Sequence, residues 1–465
     1  MGYFIDDLPS GAQAGPRRDA RGCTTSTRSA AALSYVETAL EKALSYAGDP
    51  LADLDQAAAT DPGWAYPHVL KAGLLLTAGE YEPSRAAAAE LELAQRLAGT
   101  ADAREQAHLS AARAALAGEW DTACEAWERI LVDHPLDVAA LLFAHLFDFY
   151  RGDALNLRRR PERVLPQWSA DLPLYGYVLG LYAFGLEESG HYGAAEDAGR
   201  AALEHNRRDT WAVHAVTHVF EMQGRHEAGT RWLTSRAPDW SIDNGFAFHN
   251  WFHAALFHLE RMDTAAALAV YDSQLAPNTD LALQRVDGTA ILWRLKLLGV
   301  DVADRFDALR RRWHDDAPAA GYYAFNDFHA LVANVGAGDR AETQAACERL
   351  LAALTLPVAA GPSNRQMTAQ VGLPLARAVM AYARGDHAAA AEGLLQVRDR
   401  AHGFGGSHAQ RDILTLTLMD AAARAGEAAL ARHILQERRP AKGATPLTAW
   451  WQERIAKAAQ DAVLG

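Results

Sequence analysis

The chain has 465 residues, half of them apolar, enough to bury a large core. Its 45 basic and 58 acidic residues leave a net charge of −13, which argues against nucleic acid as the main partner, because phosphate binding needs a basic footprint. Three widely spaced cysteines, Cys23, Cys124 and Cys347, form neither a CxxC pair nor a disulfide framework and point to a reducing cytoplasm.

Residues 1–25 are rich in Gly, Asp and Arg, with little periodicity, and read as an extended arm or a poorly ordered segment. They lack the charged start and apolar stretch of a signal peptide. No apolar run approaches the roughly 18 residues a membrane span needs. Residues 26–465 read as one all-α domain. An apolar-periodic helix, a glycine or substitute, an acidic or aromatic residue and an Ala-rich helix recur along it. The markers are Gly79-Glu-Tyr81, Gly118-Glu-Trp120, Gly152-Asp153, Gly190-His-Tyr192, Gly224-Arg-His226, Arg261-Met-Asp263, Gly299-Val-Asp301, Gly338-Asp339, Gly385-Asp386 and Gly426-Glu427. By subtraction of their numbers, successive markers lie 34 to 47 residues apart. A glycine C-cap between helices at that period marks a helical-hairpin array. Each hairpin leaves an apolar face that only its neighbours can cover, which predicts an α-solenoid of about ten hairpins.

The clearest copy, Ala107 to Pro135, is similar to a tetratricopeptide repeat: small residues in the first helix, Gly-x-Trp at the turn and Pro at the exit. Two Pro-bearing stretches break the period, 154–172 and 356–369, and read as inserted loops. The first holds the one basic cluster, Arg158-Arg159-Arg160 with Arg163, expected to be a solvated loop or packing for acidic neighbours.

Histidines and carboxylates gather before the turn markers, on first helices, which line the concave side of tetratricopeptide arrays. His145, His214, His218, Glu221, His249, His253, Asp287, His329, His408 and Asp412 all fall there, which predicts a concave, His-rich face. His214/His218 and His249/His253 are spaced i,i+4, so each pair shares one helix face. Such pairs with a carboxylate can ligate zinc, but the His-Glu-x-x-His order and the di-iron Glu-x-x-His pattern are both missing, so no metal ligand is assigned. The acid/base reading takes in more residues. It gives His214, His218, Glu221, His249, His253, Asp327 and His329 catalytic roles, with Glu221 or Asp327 orienting a ring. Trp211, Asn250, Asn326, Ser407, His408, Arg411 and Asp412 are candidate ligand contacts, although Trp211, Phe248, Trp251 and Phe252 are also spaced as core packing. Ser407 follows Gly405-Gly406 as a credible N-cap, and Arg411 could add a fork for an anionic group. His226, His258, His314, His387 and His402 read as surface or turn residues.

Several segments carry a wider resemblance: Gly176-Tyr-Val-Leu-Gly-Leu-Tyr-Ala-Phe-Gly-Leu-Glu-Glu, Trp211-Ala-Val-His-Ala-Val-Thr-His, His249-Asn-Trp-Phe-His, Phe325-Asn-Asp-Phe-His-Ala and Gly405-Gly-Ser-His-Ala-Gln-Arg-Asp. From about Thr24 onward the chain resembles the tetratricopeptide repeat protein 38 family. The resemblance implies a cytosolic helical-repeat protein and no settled activity. The reading carried forward is a helical-repeat protein whose His/Asp/Glu-lined concave pocket binds a small molecule or short polar ligand, with acid/base catalysis open. The alternatives are a scaffold taking a peptide in the groove and a metal-dependent hydrolase using the His pairs. The cofactor is left unknown, with a metal open, and so is oligomerisation; neither nucleic acid nor membrane is expected as a partner. No phosphate loop or dinucleotide fingerprint supports ATP or NAD chemistry.

Overall fold

The computed structural model describes residues 15–314, 320–338, 340–355 and 361–464. They are helical apart from turns, connectors and two isolated β-bridges, Arg18 with Thr24 and Ala47 with Asn244. Helices α1 (Ala30–Ser45) and α2 (Pro50–Thr60) lead into α3 (Tyr66–Leu76) and α4 (Tyr81–Leu97), which flank Gly79. Then α5 (Ala103–Leu116) and α6 (Trp120–Asp133) flank Gly118, α7 (Val138–Tyr150) and α8 (Ala154–Val164) flank Gly152, and α9 (Tyr175–Glu188) and α10 (Tyr192–His205) flank Gly190. Helices α11 (Thr210–Met222) and α12 (His226–Ser235) flank Gly224, and the short α13 (Ala237–Trp240) follows. Next, α14 (Ala247–Glu260) and α15 (Thr264–Val270) flank Met262, α16 (Ala282–Leu297) and α17 (Ala303–His314) flank Gly299, and α18 (Ala324–Gly336) and α19 (Ala341–Thr355) flank Gly338. After α20 (Pro362–Met367), α21 (Leu373–Ala383) and α22 (His387–Val397) flank Gly385. Finally α23 (His408–Arg424) and α24 (Ala428–Lys442) flank Gly426, and α25 (Pro446–Leu464) ends the array. The fold is an all-α, tetratricopeptide-like solenoid, as the period predicts.

Nine markers place their glycine at positive φ, the left-handed geometry that ends a helix cheaply only without a Cβ. The acid that follows then caps the second helix: Asp153, Asp263 and Asp386 each accept from a backbone N–H three residues on. At the glycine-free marker the left-handed residue is Met262, φ 59°, not Arg261. A side chain there costs about 1–2 kcal/mol. Met262→Gly is therefore expected to raise stability by about 0.5–1 kcal/mol after glycine's greater unfolded-state entropy is deducted. A thermal melt checks it, and a lower midpoint would mean that Met262's packing against the core outweighs its strain.

Three stretches differ from expectation. Met1–Ala14 of the arm lie outside the described residues, but the rest of it is ordered. Arg17 N–H donates to Thr27 O at 3.1 Å, Arg21 is buried between Asp19 and Glu37, and the Arg104 guanidinium donates to Thr24 O at 3.0 Å. Residues 154–164 are the helix α8 rather than a loop. Leu157, Pro161 and Val164 form its buried stripe, and Arg160 pairs with Asp148 and Glu128, so the basic cluster packs against acidic neighbours. Pro161 is tolerated because the Leu157 carbonyl it cannot engage lies against Gly185, where a Cβ would collide. In the second supposed loop, residues 356–360 are outside the described set. Pro362 starts α20 at its first turn, and a wide turn over Thr368–Gly372 carries the chain into α21.

The array also closes on itself. Loops of the early hairpins pack backbone to backbone against connectors of the later half: Gly118 against Gly361, Gly152 against His402 and Gly403, Gly224 against Lys442 and Gly443. Glu80 accepts from Ala282 N–H at 2.9 Å, and Asn326 Nδ2 donates to Gly79 O at 3.1 Å. The first helices of the central hairpins are therefore largely covered. All thirteen residues of α11 are buried, as befits a helix apolar around most of its circumference. The expected concave His-rich face is an enclosed interior, not an open groove.

Candidate metal centre

Two adjacent helices build the core of the site. Asp209 caps α11 by accepting from Ala212 N–H at 3.0 Å, and Asn250 of α14 donates to Thr210 at 3.1 Å, fixing the two helix starts against each other. The i,i+4 pairs His214/His218 and His249/His253 then meet face to face. Ring centroids are 4.4 Å apart for His214–His218, 4.5 Å for His218–His253, 4.8 Å for His214–His249 and 5.0 Å for His249–His253. One nitrogen from each ring lies within 4.8 Å of the other three. His218 and His253 are fully buried, His214 is 2 % exposed and His249 4 %.

Carboxylates hold the outer sides of three rings. His249 Nδ1 meets Asp287 Oδ2 of α16 at 2.6 Å, and His253 Nδ1 meets Glu221 Oε2 at 2.8 Å. His218 Nδ1 stands 3.2 Å from Glu187 Oε2, an ion-pair contact without hydrogen-bond alignment, and 3.8 Å from Glu188. An ionised carboxylate only accepts, so at His249 and His253 Nδ1 carries the proton and the Nε2 lone pair is left free. Nε2 of His218, Nε2 of His253 and both nitrogens of His214 are buried without a hydrogen-bond partner. A further layer steadies the carboxylates. Lys442 Nζ donates to Glu221 Oε1 at 2.6 Å, Gln410 donates to Asp287 Oδ1 at 3.4 Å, and His408 N–H donates to Glu188 at 3.1 Å.

Burial and these partners set the protonation. Burial, aided by its three neighbouring rings, holds His214 well below the usual histidine range. Burial and His218 bring His253 down to about 3 despite Glu221. Burial also pulls on His218, but the Glu187 carboxylate more than restores it and leaves it raised. Burial raises Glu187 and Asp287, whose partners are imidazoles. Glu221 feels the same burial, yet Lys442 and His253 take it well below the usual range.

The other predicted residues divide. Trp211 packs on His214 at 5.2 Å and on Phe246 at 5.2 Å, and His145 lies against Phe184 and Trp211, so both belong to the apolar surround. Asp327 and His329 do not bond one another. Asp327 accepts from Gly321 N–H at 2.9 Å and is pushed up by burial to about 7, while His329 Nδ1 donates to Phe325 O at 2.8 Å. Asn326 is spent on the Gly79 loop. Ser407 caps α23 in a reciprocal box with Gln410, so those N–H groups are occupied. Arg411 donates to Gly406 O and lies 3.7 Å from Glu188, and Asp412 pairs with Arg438. His226, read as a turn residue, is buried and donates to Lys442 O at 3.1 Å.

Sequence reasoning gave no role to Glu187, Glu188 or Lys442. Glu187 stands three residues before its marker Gly190, the same register as Glu221 before Gly224, and that equivalence could have found it. Lys442 had no such signal. Lys442→Met should cost about 3–5 kcal/mol by leaving Glu221 buried without its cation, and adding Glu221→Gln should recover much of that. Denaturant unfolding of the wild type, both single variants and the double reads the coupling, and strictly additive losses would show that the pair does not interact.

No family model matches the chain. A solved structure described as "Structure of Naa15/Naa10 bound to HypK-THB" is similar at 13 % identity, over 92 % of this chain and 73 % of that one, with a TM-score of 0.24. No helix among the described residues is long and apolar enough to cross a membrane.

Proposed function

We propose that the protein is a metalloprotein, a helical-repeat scaffold closed around one divalent transition-metal ion held by His214, His218, His249 and His253. The observation that carries this is the convergence of four buried imidazoles, three backed at Nδ1 by a carboxylate. Histidine ligands are held in this way, their second nitrogen donating to a carboxylate that fixes tautomer and ring orientation. Imidazole donors suit zinc, copper, iron or nickel. An ideal tetrahedral set at about 2.1 Å would draw the nitrogens together by less than about an ångström each.

Charge supports the same reading. Around the rings and their supporting layer lie the buried carboxylates of Glu187, Glu188, Glu221, Glu260 and Asp287 and the partly buried Asp412, against buried Arg294, Arg438 and Lys442 and partly buried Arg411. The named carboxylates outnumber the permanent cations, and a cation bound among the rings would reduce that excess; unpaired buried charge is costly. Four neutral donors would leave the ion its full positive charge; the tetrahedral set is closed, so Lewis acidity toward water or a small polar ligand would require a fifth position to open. The small-ligand reading of the interior takes this form, and protein partners would meet the outer faces. The likeness to the tetratricopeptide repeat protein 38 family is carried by the same histidine segments and stands with this reading, as does a cytoplasmic home.

Elemental analysis of the purified chain tests it. One equivalent of a transition metal is expected per chain, and less than about a tenth of that in His214→Ala/His253→Ala at unchanged helicity. Equal metal content in both proteins, or none in either after incubation with zinc, iron and copper salts, would sink the reading.

A further inference from the structure

A cleft of about 330 Å³ opens beside the centre, between the end of α11 and helices α23 and α24. Its acidic lining is already served. Asp412 accepts from Arg438 at 2.8 Å, and Arg398 pairs with Glu437 at 2.6 Å and Asp399 at 3.2 Å. The cations of its lining each face a carboxylate, Arg438 both Asp412 and Glu260, yet keep donors to spare. Lys442, buried, has three donors and one bonded partner, Glu221. Arg438 Nη1 is buried with no partner at all. Arg411 has no carboxylate nearer than 3.7 Å and spends Nη1 on the carbonyls of Gly405 and Gly406. What this cleft leaves open is an acceptor for Arg438 Nη1 and for the remaining donors of Lys442, beyond the carboxylates these cations already face.

We infer that the cleft binds a small anion through a carboxylate or phosphate group gripped by Arg411, Arg438 and Lys442. Guanidinium forks match both groups in two-point fashion, and the ammonium adds a point charge. The volume suits a metabolite-sized ligand and is too small for a folded partner. The floor is shared with the metal centre. Lys442 leads through Glu221 to His253, and Arg411 leads through Glu188 to His218. The inference deepens the metal reading by naming an anionic substrate class for it, and in that sense rests on it, although binding requires only the cleft.

Calorimetric titration of the full chain with inorganic phosphate and, separately, with succinate tests the proposal at constant ionic strength. Saturable binding of one probe is expected, and which probe binds distinguishes phosphate from carboxylate ligands. Arg411→Gln should weaken it at least tenfold. The charge reversal Arg398→Glu, at the partly exposed rim and away from the centre, should weaken it severalfold even if Arg411→Gln fails to fold. Saturation by neither probe, or equal affinity in the wild type and in Arg398→Glu, overturns the inference. A metal-free chain that still binds phosphate with this mutational pattern would uphold the anion site independently of the metal reading, which metal content alone decides.

Discussion

Chelator-treated protein is expected to take up one divalent ion per chain and to melt markedly higher for it, and His253→Ala should abolish both effects. The expectation follows from how the empty cluster is held. In α11 and α14, both nitrogens of His214 and Nε2 of His218 and His253 are buried with no hydrogen-bond partner, and a buried polar group left without a partner costs about 1–3 kcal/mol. An ion that occupies them removes that cost. At an ion concentration of a thousand times Kd, mass action adds about 4 kcal/mol to stability. The ring-orienting carboxylates should show as a smaller, separate effect. Asp287→Asn removes the acceptor charge behind His249, 2.6 Å away, and should weaken the metal by about 10–100-fold while the chain stays folded. A binding isotherm with zinc reads both variants. If His253→Ala bound zinc as tightly as the wild type, the four-imidazole centre would be ruled out, whatever the helicity showed.

How much of this was legible in the sequence depends on distance along the chain. Helix ends and the ten turns are local events, set by a glycine's φ and an aspartate cap, and the marker period exposes them. The i,i+4 histidines are also local, and the first-helix argument correctly put both pairs on interior faces. The same local logic should have separated Asp327 from His329. Residues at i,i+2 point to different sides of a helix, and the two find different partners. The pairing of His253 with Glu221 across α11 and α14 needed the neighbouring hairpin, and the repeat made it guessable. Lys442 reaches Glu221 across 221 residues, through a closure of the array that no periodic pattern records. The helix α8 was hidden for another reason: Pro161 and three arginines look like a loop until Asp148 and Glu128 are seen to neutralise the buried Arg160.

That closure can be tested at a single atom. Gly152→Ala should destabilise the protein by about 3 kcal/mol or more, and Gly385→Ala by only about 1–2 kcal/mol. Both glycines are left-handed, φ 66° and 80°, so each alanine incurs the same backbone strain of about 1–2 kcal/mol. Only at Gly152 does the new Cβ meet something. It would overlap the His402 carbonyl, with the carbonyl carbon 2.7 Å away, whereas nothing lies within 4 Å at Gly385. Relieving that overlap means parting the Gly152 loop from the His402–Gly405 connector, and forcing atoms into a packed contact costs a further 1–3 kcal/mol or so. The connector leads into the cap of α23, where Ser407 holds Gln410 and Gln410 holds Asp287. Gly152→Ala should therefore also loosen metal binding from a site that touches none of the histidines, while Gly385→Ala leaves it unchanged. Denaturant unfolding and zinc titration of the two variants separate the cases. Equal losses of stability would mean that the early loops and late connectors do not hold each other in solution, and a centre with its normal affinity in Gly152→Ala would mean that the histidine helices keep their geometry without the closure.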